Sequence, residues 1–249
     1  MNTDLWAPAS FGPLTLRNRV IKAATFEGVM PRGAVTNDLI DYHRRVARGG
    51  AAMTTLAYGA VSMAGRVSPH TLVIRPELTA DLARLTDAIH AEGAAVSIQL
   101  GHAGLVAQAH SRAHRSIAPS TRLSAPAKGL VRAATSDQLD EVVRHFEQAA
   151  ATADQAGFDA IEIHLGHNYL LSSFFSPNLN RRTDRFGGSL ENRARFPRRV
   201  VEAVREAAGA HMAVYAKFNM DDGVAGGLWV DESLQIAQML EADGHLDAL

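Results

Sequence analysis

Apolar positions along the chain alternate between two periods. Leu78, Leu82, Leu85 and Ile89 recur at helical spacing, and so do Phe146, Ala149, Ala150 and Ala153. Short apolar runs with strand character follow each such stretch, as in AAMTTLA (Ala51–Ala57), AAVSIQL (Ala94–Leu100), FDAIEIH (Phe158–His164) and AHMAVYAKF (Ala210–Phe218). A glycine marks each junction: Gly50, Gly93, Gly157, Gly209 and Gly244. Each is expected to end a helix in the left-handed conformation, which costs glycine no Cβ strain. Thr135-Ser136-Asp137-Gln138 resembles a capping box, and Ser189 suits an N-cap.

With NRVIKAAT (Asn18–Thr25) as first strand, the pattern is an unbroken β-α-β-α alternation, which predicts a parallel sheet with helical crossovers. The glycine spacings are 43, 64, 52 and 35 residues. The variation falls in strand-to-helix links such as Gly101–Ala134 and Gly166–Gly188, while the helix-to-strand links stay short. Such asymmetry predicts a (β/α)8 TIM-type barrel with its site in loops at the strands' C-terminal ends. An open doubly wound sheet is the alternative, but no GxGxxG or Walker-type loop follows the first strand. Only five βα units and the start of a sixth strand, Leu246–Leu249, are present. Residues 1–249 are therefore expected to form the N-terminal two-thirds of one barrel domain, with the last strands absent.

Composition narrows the function. Acidic and basic residues nearly cancel, 26 against 25, which gives no electrostatic reason to expect a nucleic acid or an acidic membrane as partner. No cysteine is present, so disulfides and thiolate chemistry are excluded within these residues. No apolar run reaches the roughly 20 residues of a spanning helix, and the N-terminus lacks the features of a secretory signal. A cytoplasmic protein is the expectation.

Side-chain alternation places Lys22, Ser97, Gln99, Glu162, His164, Lys217 and Asn219 on the barrel axis, with Ile161 and Ile163 facing the helices. Charges converging on one axis are costly unless paired or bound to something, so Glu162 is expected to balance Lys22 or Lys217. IEIHLGHNYL (Ile161–Leu170) then sets His164, His167 and Tyr169 just past a strand end. The histidine pair could ligate a metal, but no third ligand follows at helical spacing, so metal is not the expectation. Of His102, His110 and His114 in the long loop, only His102 stands beside a strand end. The run Arg181–Arg185 reads as a solvated or loop-pinning cluster.

The block HLGHNYLLSSFFSPNLNRRTDRFGGSLENRARF (His164–Phe196) resembles the signature of the old yellow enzyme family of FMN-dependent NADH:flavin oxidoreductases and ene-reductases. LRNRVIKAATFEG (Leu16–Gly28) and IQLGHAG (Ile98–Gly104) are similar to two further family blocks in the same order. The resemblance implies FMN at the barrel mouth, with NADH or NADPH as hydride donor and an electrophilic alkene such as an enone as substrate. Ala23, Ala24, Thr25 and Phe26 would line the flavin from the first strand, and Ala57 and Ala60 from the second. Gln99 would hydrogen-bond the pyrimidine edge, and Lys217 would set a cation near the atoms that gain negative charge on reduction. His164 and His167 would hold a carbonyl or phenolate oxygen, and Tyr169 would protonate the α-carbon after hydride arrives from flavin N5. A homo-oligomer is compatible with this reading. Phe26 and Leu105 depart from the family pattern, the second replacing an arginine. Alternatives are a fragment that holds FMN weakly or not at all, and a Schiff-base aldolase using Lys217.

Overall fold

The computed structural model describes residues 4–108 and 114–249. Five parallel strands follow in sequential order along the main sheet: β1 (Ile21–Lys22), β2 (Met53–Ala60), β3 (Ala95–Gly101), β4 (Ala160–Leu165) and β5 (Ala213–Phe218), and a short further strand, Leu72–Val73, pairs with the end of β2. Helices α1 (Asn37–Arg48), α2 (Thr79–His90), α3 (Ser136–Gln155), α5 (Leu190–Ala207) and α6 (Val230–Asp243) alternate with them, and a short α4 (Leu170–Phe175) sits in the loop after β4. This is the expected arc of a (β/α) barrel. A parallel bridge from Tyr215 to Ala248 starts the sixth strand where the sequence places it. Asp247 anchors that start by accepting from the Val214 amide at 2.8 Å.

The helix layer packs as the periodicity predicts. Leu82, Leu85 and Ile89 of α2 and Phe146, Ala149, Ala150 and Ala153 of α3 are all fully buried, together with Ile161 and Ile163 from β4. Each large aliphatic side chain buried there contributes roughly 1.5–3 kcal/mol. The capping box at Thr135 is formed in both directions, and Ser189 accepts from the Asn192 amide. Four of the junction glycines take positive φ. Gly209 does not; a Cβ there would lie 2.5 Å from the His211 ring, an exposed side chain that can turn aside.

Several elements differ from the sequence reading. The first strand keeps only Ile21–Lys22 in the ladder, because residues 23–26 leave it as an arch. An N-terminal hairpin (Ala9–Phe11 with Leu14–Leu16) lies across the strands' N-terminal ends. There Phe11, Leu14 and Leu16 pack with Met53, Ala160, Ala213 and Tyr215. This apolar plug closes one end of the barrel and leaves the other as the mouth. The link after β3 folds into a small three-stranded sheet over residues 117–133. The Arg181–Arg185 run pins loops: Arg182 donates to the carbonyls of Pro119 (3.1 Å) and Ala134 (2.7 Å) and pairs with Asp184 (2.5 Å).

Inside the arc, polar side chains are stacked in layers set by strand register. Above the plug, the Tyr215 hydroxyl meets Thr55 Oγ1 at 3.1 Å and Ser97 Oγ at 3.0 Å. One pleat further toward the mouth lie Gln99, Glu162 and Lys217. Among the described residues, no helix is long and apolar enough to cross a membrane.

Candidate active site

The mouth of the arc gathers the residues singled out in sequence. His164 is the penultimate residue of β4 and stays buried, while the chain turns sharply after it. The turn is unusual. His167 and Asn168, neither of them glycine, take φ of 58° and 52° in succession. Left-handed backbone at such residues costs on the order of 1–3 kcal/mol and survives only where neighbours enforce it. Asn219, just beyond β5, accepts from the His167 amide at 3.0 Å, and Ser172 donates to the Gly166 carbonyl at 2.7 Å.

These constraints order the imidazoles. The Gly166 amide donates to His164 Nδ1 at 3.2 Å, so the proton of the neutral ring is on Nε2. That atom lies 3.1 Å from His167 Nδ1, which accepts and leaves the Nε2–H of the exposed His167 ring as a donor outward. Burial, then the nearby His167 and Lys217, pull the His164 pKa down to about 3, so the ring is neutral at pH 7. The Tyr169 ring lies 4.6 Å from that of His164 and 6.0 Å from that of His167. Burial raises the pKa of its phenol, which therefore keeps its proton.

Below the histidines, Gln99 Nε2 donates to Glu162 Oε1 at 2.5 Å, and Lys217 Nζ stands 3.8 Å from the same oxygen. Lys217 also donates to the Ala24 carbonyl at 3.2 Å, which ties β5 to the arch. Glu162 thus balances Lys217. It does not pair with Lys22, whose ammonium is held by Glu27 at 2.9 Å because the arch folds Glu27 back over the strand end. Ala23, Thr25 and Phe26 are exposed along the arch, with Phe26 at 47 %. Ala57 and Ala60 are buried, packed in a cluster with Tyr58, Ala24 and Tyr169.

Two residues with structural weight at the site were given no role of their own by the sequence reading. Tyr58 is fully buried, donates to the Gly65 carbonyl at 2.7 Å, and sets its ring edge-on to His164 (6.2 Å) and Tyr169 (5.7 Å). Alternation could not orient it, because the register of β2 against β3 shifts between Leu56 and Gly59. Glu27 follows the strand in TFEG, and only the arch brings it back. His102, by contrast, does not join the cluster. Its Nδ1 accepts from the Gly104 amide at 3.1 Å, and its ring packs on Gly65 beside a cavity shared with His145 of α3. His114 borders the same cavity, and His110 lies outside the described residues.

Gly101 shows how tightly the cluster is packed. A Cβ there would lie 2.6 Å from the Tyr58 ring and 3.1 Å from His164 Cβ. Gly101→Ala is expected to cost about 1–3 kcal/mol by overpacking, seen as a lower denaturant midpoint at unchanged slope.

The chemistry of the donor set suits a flat, electron-accepting heterocycle. An amide and a cation converge below, small alanine side chains leave the arch low, and neutral N–H donors with a phenol stand on one side. The family model of the NADH:flavin oxidoreductase / NADH oxidase family matches residues 4–246. The chain is 66 % identical over 246 residues to a 4,4'-dithiodibutanoate disulfide reductase of Rhodococcus erythropolis, covering 99 % of this chain and 61 % of that protein. A 2-naphthoyl-CoA reductase structure superposes with a TM-score of 0.92 at 28 % identity, over 99 % of this chain and 40 % of the other. The old yellow enzyme homologue of Zymomonas mobilis superposes with a TM-score of 0.83 at 25 % identity, over 98 % of this chain and 71 % of the other. The chain thus spans 61 % of the length of the Rhodococcus relative. With mouth, fold and sequence in agreement, the chain belongs to the NADH:flavin oxidoreductase / NADH oxidase family, the flavin barrels that include the old yellow enzymes.

Proposed function

We propose that this chain carries the catalytic mouth of an FMN-dependent oxidoreductase that takes hydride from NADH or NADPH and reduces an electrophilic small molecule. The observation that carries the reading is the ordered set His164, His167 and Tyr169 beside Gln99, Glu162 and Lys217. FMN, when bound, supplies the hydride-transfer chemistry that no side chain offers. Lys217 and Gln99 would hold its polar edge, and the Ala23–Phe26 arch would line it through backbone groups. Lys217 is already engaged with Ala24 and Glu162, which suits a fixed cation better than a Schiff-base nucleophile.

For an α,β-unsaturated carbonyl, the N–H groups of His164 and His167 grip the oxygen. Charge building there in the transition state strengthens both hydrogen bonds, which lowers the barrier. In the bound state the His164 Nε2–H exchanges its partner, His167 Nδ1, for the substrate oxygen. Tyr169 then gives its proton to the α-carbon as hydride arrives at the β-carbon.

The 66 % identity to a disulfide reductase favours a second electrophile, an organic disulfide. Hydride attack on one sulfur breaks the S–S bond, and Tyr169 protonates the departing thiolate, giving two thiols. Assaying an enone and a dithiodialkanoate in parallel separates the two substrates.

The reading is tested by loading the chain with FMN and titrating a phenol. A long-wavelength charge-transfer band is expected, and His164→Ala or His167→Ala should weaken phenol binding about tenfold, the worth of one lost charge-assisted hydrogen bond. Flavin binding with unaltered phenol affinity in both variants would sink the histidine assignment. No flavin binding would sink the cofactor assignment for this chain.

A further inference from the structure

One buried acid at the mouth has no part in the chemistry above. The Glu27 side chain has no exposed surface, and its Oε1 accepts from Lys22 Nζ at 2.9 Å and from the Ala57 amide at 3.1 Å, with His43 Nε2 3.2 Å away. Lys22 also donates to the Thr55 carbonyl at 2.9 Å. His43, fully buried on α1, shares a 2.7 Å hydrogen bond between its Nδ1 and Thr54 Oγ1. Residues 23–26 span the gap between Lys22 and Glu27 outside any ladder. The side-chain bond within this stretch is a long one, Thr25 to the Ala23 carbonyl at 3.4 Å. The arch is therefore held at its foot by the Lys22–Glu27 pair and at its crown by Lys217 on the Ala24 carbonyl.

A buried ion pair is a poor source of net stability, because desolvation offsets the attraction. It does fix geometry, since a buried carboxylate held by an ammonium and a backbone amide is confined to few low-energy positions. We infer that Glu27 is a positioning residue, which staples the Ala23–Phe26 arch to β2 and α1 so that the arch meets FMN preformed. This rests on the flavin reading above. Ala23, Thr25 and Phe26 of the arch are exposed, while the Glu27 and His43 side chains that hold its foot are buried. Freed from Glu27, the arch would have to be ordered by the ligand itself, and binding would weaken by that cost.

The test compares the unaltered 249-residue chain with E27Q and the double variant K22M/E27Q. FMN affinity is read by quenching of its fluorescence, stability by thermal midpoint, and arch order by amide hydrogen exchange. E27Q keeps an acceptor for the Ala57 amide but leaves Lys22 without its counter-charge. It is expected to weaken FMN about tenfold and to speed exchange across residues 23–26 by a similar factor. K22M/E27Q removes the stranded ammonium, so the midpoint should recover while FMN affinity does not. Recovery of both together would make the pair structural only and overturn the inference, as would FMN binding by E27Q equal to that of the unaltered chain. If the unaltered chain bound no FMN, the flavin reading would fail, and exchange would still decide. Unchanged protection of the arch in E27Q overturns the positioning role; its loss supports it.

Discussion

Tyr169→Phe is expected to leave reduction of bound FMN by NADH or NADPH at its original rate and to slow reoxidation by the electrophile about 100-fold or more. The split follows from where the proton is needed. Hydride from a nicotinamide calls for no proton from the protein, whereas hydride delivered to a carbon or sulfur acceptor leaves a partner atom that must gain one. The Tyr169 phenol stands beside both imidazoles, and burial raises its pKa, so it is protonated across the physiological range. Phe keeps the packing against Tyr58 and His164 and removes the hydroxyl alone. Stopped-flow measurement of the two half-reactions separates the outcomes. Equal slowing of both would mean that the ring matters for packing or nicotinamide binding and that the proton comes from elsewhere.

Acid should unfold the protein through its buried histidines. His102 and His164 each have a pKa of about 3 in the folded chain, chiefly from burial, against 6.5 when unfolded. Because the folded form stays neutral, the unfolded chain binds more protons between those values. The stabilisation is complete above pH 6.5 and declines as pH falls toward 3. Each histidine contributes a slope of about 1.4 kcal/mol per pH unit, so two pH units of acidification remove roughly 5 kcal/mol, comparable to the whole stability of many domains. His43, also lowered by burial, acts in the same direction. His90, raised by Asp159, acts with the opposite sign, its contribution lost as pH rises. Denaturant unfolding against pH measures the slope. His102→Asn and His164→Asn each retain an acceptor for the Gly104 or Gly166 amide and should each reduce the slope by about one proton. If neither variant changes the slope, the buried histidines are not the linked groups.

The arc of strands, the helix faces and most helix ends could be read from the sequence because each is a local, periodic signal. An amide at residue 99 and acid, imidazole and cation at 162, 164 and 217 were legible as one inward face, since alternation is a two-residue rule and β3, β4 and β5 obey it. The rule fails where the ladder is irregular. The register shift in β2 hid Tyr58, and the early exit of β1 gave Lys22 a different partner from the one expected. The sequence by itself therefore determined the family, the parallel order and the presence of two imidazoles and a phenol past β4. Tertiary structure alone decided the tautomer chain from Gly166 through His164 to His167, the grip of Asn219 on a left-handed turn, and the diversion of His102 toward α3. It also set the clasp of Lys22, the Ala57 amide and His43 around Glu27. The reason is the range of the interactions. Periodicity records which way a side chain points relative to its near neighbours, whereas a hydrogen bond between residues 30 or 52 positions apart exists only once the chain has closed on itself.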